Sequence, residues 1–304
     1  MNRARHLTRI ALALAVVVVA AVIAVATRGG LSGGDANPTA APTAGGGSPS
    51  AGGARSWVIS GSTLTRLLAT DGAGGTAAAE FDTPDAYVLT GDADWALPSG
   101  WRSTPTADFT SYSALRAALT GSRLDPRVRA VLYDNEDWSL TPADERADPA
   151  RYDRLAGQLV HAHHLLFIAA PATDLVNTLA PDAADGSKFN AFLNLGLIGQ
   201  IARYADVLDL QAQGAEDDPT LFASFVSAAA AQARAANPGI RVLAGLSTNP
   251  SGRAVTAAVI DRAAESVTAD VDGYWLNDPA PSAACAACAG PFPQVALAAL
   301  RGLG

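Results

Sequence analysis

Residues 129–138 read RAVLYDNEDW. The apolar run at residues 130–133 is four residues long and is followed at once by acids and an amide. A run so short, closed by turn-forming residues, suits a strand buried on both faces better than a helix. Similar runs recur along the chain, at residues 57–60, 87–90, 165–169, 207–210, 242–246 and 273–276. An eighth strand is expected near residues 101–104, where the pattern is poorest.

Helical segments lie between these runs. Asp148-Pro149 and Asp218-Pro219 each set an N-cap Asp before a Pro at the first helical position. Tyr152, Leu155, Ala156, Leu159 and Val160 follow the first at i, i+3, i+4, i+7 and i+8. Leu221, Phe222, Phe225 and Val226 follow the second. Residues 110–119, 188–204 and 253–267 carry similar stripes. Alternation of strand and helix implies parallel strands joined by right-handed crossovers. Seven or eight such units predict an α/β fold, a (β/α)8 barrel, over residues 56–304. The alternative is an open doubly wound sheet. No glycine-rich phosphate loop follows the first strands, which weakens the nucleotide-binding form of that alternative.

The N-terminus is set apart by composition. Residues 10–27 are apolar or nearly so and carry no charge, with three Arg before them and Arg28 after. As a helix they span roughly 27 Å, close to a bilayer's hydrocarbon thickness. The flanking charges predict export of everything beyond residue 28. Residues 1–28 are therefore read as a membrane anchor, with a cleaved signal as the alternative at Ala24-Val25-Ala26. Either places the domain outside the cytoplasm, on the cell membrane or secreted. Residues 29–55 are mainly Gly, Ala, Pro, Ser and Thr and read as a flexible linker.

Charge excludes one class of partner. The chain has 304 residues and a formal net charge of −8, and beyond residue 55 it carries 28 acids against 16 bases. Such a body repels phosphate backbones, so nucleic acid is not an expected partner.

A barrel's site lies at the C-terminal ends of its strands. Side chains alternate along a strand, so Ala130, Leu132, Asp134 and Glu136 share one face. Two carboxyls two residues apart oppose each other's ionisation, and burial adds to this. One of them is expected to stay protonated near neutral pH and act as a general acid. The structural alternative is that both cap loops or pair with Arg. Asp209, Gln211 and Gln213 share a face in the VLDLQAQ stretch, residues 207–213, and offer donors and acceptors to a polyhydroxylated ligand. They could instead satisfy backbone groups at the barrel top. Trp275 and Asn277 share a face at the end of the last strand. A Trp there is either core filler or a platform for a sugar ring. Trp138, Trp95 and Trp101 are expected beside the same rim, and Ser247-Thr248-Asn249 could add hydrogen bonds.

With these residues in hand, YDNEDWSLTPADE, DLQAQ, AGLSTNP and GYWLN resemble phrases of exported actinobacterial proteins with no established activity. The resemblance covers most of residues 80–304 and implies a glycoside-hydrolase-like barrel. Asp134-Asn135-Glu136 is also similar to the acidic D-x-E that ends the fourth strand of chitinase-type (family 18) glycosidases, although Ala130 and Leu132 stand where that family has further acids. The resemblance implies Glu136 as the acid and Asp134 as its partner, steadying a substrate N-acetyl group that attacks the sugar carbon. Gln211, Gln213 and Trp275 would fill the family's polar and Trp positions. Asn135-Glu136 resembles a second group of retaining glycosidases, which also needs a Glu ending strand seven. Residues 246–250 hold none.

Other patterns are discounted. His161, His163 and His164 close a helix on the opposite face of the barrel and read as dipole partners rather than metal ligands. Cys285 and Cys288 sit in a loop after the last strand and are read as a small disulfide. No metal or organic cofactor is expected. The functional expectation is hydrolysis of a glycan, such as an amino-sugar polymer. The alternatives are a non-catalytic glycan-binding or envelope scaffold module on the same barrel, and a non-glycan hydrolase or isomerase.

Overall fold

The computed structural model describes residues 55–72, 74–90, 97–183, 188–281 and 287–304. The expected anchor, the linker up to residue 54, Trp95 and Cys285 lie outside these residues, so neither the membrane segment nor the disulfide is described. Among the described residues no helix is long and apolar enough to cross a membrane.

Eight parallel strands close into a ring in sequence order. They are β1 (Ser56–Ser60), β2 (Ala86–Leu89), β3 (Thr104–Phe109), β4 (Ala130–Tyr133), β5 (Leu166–Ala169), β6 (Val207–Leu210), β7 (Arg241–Ser247) and β8 (Gly273–Asn277). The ring closes where β8 pairs with β1, Trp57 beside Tyr274 and Val58 beside Trp275. The open-sheet alternative is thereby excluded.

Alternation along each strand divides the apolar residues into two cores. Val58, Ala130, Leu132, Ile168, Val207, Leu243 and Trp275 fill the ring. Trp57, Ile59, Val131, Phe167, Leu208 and Val242 face outward against the helices. The inner set is small and the outer large, as an eight-stranded barrel requires.

The helices follow their caps. In the helix Pro149–Ala162 the Asp148 side chain accepts the Arg151 N–H, and in the helix Pro219–Ala236 Asp218 accepts those of Thr220 and Leu221. The stripe at 188–204 forms two helices, Lys188–Asn194 and Leu197–Ala202, because Gly196 takes a left-handed φ of 63° between them. The helix expected from residue 253 begins at Ala257, as Ala257–Glu265, after a tight turn at Pro250–Gly252.

Three expectations are corrected. The poorly signalled strand is β3, further along than residues 101–104. Its inward residues Thr106 and Asp108 are polar, so it carries little apolar pattern. Trp101 therefore precedes β3 and packs at the N-terminal end of the barrel, away from the expected rim. Arg55, assigned to the linker by composition, also belongs to the folded body. Its guanidinium lies over Trp57 and Tyr274 and donates to the Leu303 carbonyl at 2.5 Å.

Ring closure depends on one residue having no side chain. A Cβ at Gly273 would land on the backbone of Ser56 in the neighbouring strand. Gly273→Ala is expected to cost about 3 kcal/mol or more, read as a lower denaturation midpoint. A change under 1 kcal/mol would show that the β1–β8 seam tolerates separation.

Candidate active site

Apolar residues give way to polar ones where the strands reach the C-terminal end of the ring. Ala130 and Leu132 are fully buried inside, and the next inward residue, Asp134, is 7% exposed. The β4–β5 ladder continues past both strands, with Ala170 N–H donating to the Tyr133 carbonyl at 3.1 Å and Ala172 N–H to that of Asn135 at 3.0 Å. This extension holds Glu136 at the mouth.

A chain of side chains crosses that mouth. Gln211 Nε2 donates to Asp134 Oδ1 at 2.7 Å and to the Ala170 carbonyl at 3.0 Å. Gln213 Nε2 donates to Gln211 Oε1 at 3.5 Å. Glu136 is within hydrogen-bonding reach of both Gln211 and Asp134. Gln213 lies over Gly245 of β7, where a Cβ would strike its amide.

Above this chain is a cavity of about 380 Å³. Asp134, Glu136, Trp138, Gln211, Gln213, Trp275 and Asn277 all line it, so seven of the eight expected catalytic and binding residues meet around one space. Ser247 and Asn249 also line it, while Thr248 turns away and donates to Asp278 Oδ1 at 2.7 Å. Several buried polar atoms of this lining have no hydrogen-bond partner in the protein: both amide atoms of Asn249, Gln213 Oε1 and Trp275 Nε1. Buried polar groups are normally paired; these four atoms are enclosed within the lining rather than exposed to the cavity.

Asp209 is the exception among the expected binding residues. It is fully buried and does not line the cavity. On β6 it stands one inward layer below Gln211, where burial opposes its ionisation, so it backs the site from below without contacting a ligand.

The electrostatics follow from burial. Desolvation pushes the Asp134 carboxyl well above its ordinary range, and the neighbouring Glu136, Asp108 and Asp209 carboxyls push the same way. Burial raises Glu136 to about 7, helped by Asp174 and opposed by its hydrogen bonds to Gln211 and Asp134. Asp108 is raised by burial to about 6. Among the described residues no Arg pairs with Asp134 or Glu136, so the ion-pair alternative for them does not hold.

Two acids of this group were not foreseen. Asp108 lies on β3, whose polar sequence hid it. Asp174 sits in the turn Thr173–Leu175 after β5 and reaches the cavity only through the extended β4–β5 ladder. Its Oδ1 accepts the Asp137 N–H at 3.0 Å, and Lys188, the chain's single lysine, lines the same cavity. Asp137 is itself held by Arg146 at 2.8 Å and Thr178 at 3.1 Å.

Other polar clusters face elsewhere. Asn135 is fully buried on the outer side of β4 beside Asp153, which removes the geometric basis for comparing Asn135-Glu136 with the second glycosidase group. Tyr133 donates to Glu145 at 2.6 Å in the same outer layer. His161 lies at the end of the helix Pro149–Ala162 and bonds Asp206 at 2.8 Å, and no group of three or more metal-binding side chains occurs among the described residues.

No family model and no curated protein matches the chain. Solved structures with similar folds include a chitinase from Chromobacterium violaceum (14% identity, 83% of this chain and 99% of that one, TM-score 0.45). A sugar phosphate isomerase/epimerase from Parabacteroides distasonis is similar at 10% identity, over 86% and 97% of the two chains, with a TM-score of 0.44. A triosephosphate isomerase from Bartonella henselae is similar at 10% identity, over 82% and 99%, with a TM-score of 0.41. The barrel itself is established by its own closed ladder.

Burial of Glu136 carries a stability signature. Its carboxyl titrates near 7 in the fold, above its ordinary value of 4.5. The folded state therefore holds a proton that the unfolded state releases, and stability falls as pH rises through that window. Glu136→Gln is expected to stabilise the protein by about 2 kcal/mol at pH 8 and to change little at pH 4. Denaturant titrations at the two pH values read this directly. Equal effects at both would mean that Glu136 is solvated.

Proposed function

We propose that this barrel hydrolyses a glycan, with Glu136 as the general acid. The observation that carries the reading is the position of Glu136. Its carboxyl lines a cavity, free of any Arg, and is within reach of Asp134 and Gln211.

Proton custody follows from that position. Asp134 and Glu136 titrate as a pair, so the retained proton belongs to both. Asp134 lies deeper and accepts from Gln211, which fixes its orientation. Both line the cavity, but Glu136 is the more exposed of the two, so it delivers the proton to the glycosidic oxygen. Asp134 orients it and keeps it protonated.

The rest of the lining suits a sugar. Trp275 and Trp138 supply aromatic surface, and sugars present apolar C–H faces to such rings. Asn249 and Gln213 bring amide groups to the same lining, suited to hydroxyl or amide recognition. Gln211 and Asn277 complete the ring around them. An amino-sugar polymer fits this mixture of amide and hydroxyl recognition. In this reading the apolar segment at residues 10–27 exports or tethers the domain outside the cytoplasm.

The test is cleavage of amino-sugar and neutral glycans by the full chain, beside its Glu136→Gln variant. Loss of the acid is expected to lower kcat at least about 100-fold while binding persists. Wild-type kcat/KM is expected to fall above about pH 7, as Glu136 loses its proton. Equal cleavage by both proteins would remove Glu136 from the reaction. Glycan binding without cleavage by the wild type would establish a recognition module instead.

A further inference from the structure

Among the described residues, the cavity lining holds one basic side chain, and it has no ion-pair partner. Lys188, the chain's single lysine, is partly buried at the start of the helix Lys188–Asn194 and lines the cavity together with Asp134, Glu136 and Asp174. Two guanidinium groups near the rim are engaged elsewhere, Arg146 with Asp137 and Arg253 with Asp217, each at 2.8 Å. Ion pairs among the described residues are made by Arg or His, and Lys188 makes none. Its ammonium is near enough to act on the Asp174 charge without pairing with it. Asp174 already accepts the Asp137 N–H, and burial weakens its hold on a negative charge. Burial also favours the protonated forms of Asp134 and Glu136, so neither offsets the ammonium. A partly desolvated ammonium gains more from a charged oxygen than from a neutral hydroxyl.

We propose that Lys188 selects glycans that carry an anionic group, binding a carboxylate or sulfate of the sugar on the β5–β6 side of the mouth. The inference rests on the glycan reading above and names the substrate class within it. Lys188 lies in the connection from β5 to β6, Glu136 follows β4, and Trp275 lies on β8. The three therefore approach the cavity from different parts of the rim. Lys188 takes no part in bond breaking. It supplies a point charge on a flexible stem, which accepts either oxyanion without the fixed planar match that Arg imposes. The body beyond residue 55, with 28 acids against 16 bases, repels anions at long range. An unpaired ammonium at the mouth opposes that repulsion where the ligand enters. Selection of this kind is electrostatic, so it weakens as salt rises.

The full chain is applied to a glycan array carrying neutral, N-acetylated, free-amine, carboxylated and sulfated sugars. Carboxylated or sulfated glycans are expected to bind at least about tenfold more tightly than their neutral counterparts. Which of the two is favoured identifies the anion. Titration calorimetry with the best anionic glycan and its neutral counterpart then measures the preference at low and high salt, where it is expected to shrink. Lys188→Gln is expected to reduce the preference below about twofold, and Lys188→Arg, which keeps the charge, to retain most of it. Because the chain has one lysine, carbon-13 lysine labelling gives a single side-chain Cε signal. That signal is expected to move when the anionic glycan is added, and an unmoved signal overturns the contact. Equal binding of neutral and anionic glycans, or a preference for free amines, overturns the selectivity and leaves the glycan reading intact. An anionic preference that survives both Lys188→Gln and high salt overturns the role of Lys188 in the same way. Should Lys188→Gln not fold, the salt dependence and the Cε signal of the wild type decide. Binding to no glycan on the array overturns both this role and the reading beneath it.

Discussion

Closure of the ring at the β1–β8 seam constrains everything above it. A closed barrel has only one interior, so the two-residue alternation of every strand resolves into one inward set and one outward set. An inward residue placed beyond the last apolar layer must then point into the mouth. Gly273 permits the seam by letting β8 approach Ser56 without a side chain between them. With the ring open, Trp275 would lose its place beside Val58, and the mouth would lose the wall that faces β4.

The mouth concentrates acids at an energetic cost. Asp108, Asp134, Glu136 and Asp209 approach from three strands, and burial opposes the ionisation of each. Acids with a supporting role are placed differently. Glu145 receives the Tyr133 hydroxyl, and Glu216 receives the Ser247 N–H at 2.8 Å, so each stiffens a strand end from outside the cavity. Asp134 and Glu136 instead face ligand space, with Gln211 as their shared partner. A fold that only needed stability would fill those positions with apolar side chains. Keeping protons there is the property that acid catalysis requires.

Glu136 and Asp174 share the same dominant influence, since burial raises both carboxyls. The loops and neighbouring strands temper it differently. The Asp137 N–H and Lys188 offset part of the rise at Asp174, and Gln211 and Asp134 offset part of it at Glu136.

Much of this was written in the local sequence. Short apolar runs between capped helical stripes specify a barrel, because a two-residue period and a 3.6-residue period are visible without long-range knowledge. The same alternation placed Asp134 with Glu136, Gln211 with Gln213, and Trp275 with Asn277. It placed Asp209 on the correct face but not at the correct depth, since depth depends on where neighbouring strands end. Asp108 escaped because its strand is polar inside. Asp174 escaped because a turn residue carries no periodic signal, and only the register between β4 and β5 brings it beside Glu136. Trp101 shows the converse: a local guess at a strand boundary moved a ring from one end of the barrel to the other. Periodicity is a property of the chain alone, whereas depth, register and charge environment arise only when separate strands meet.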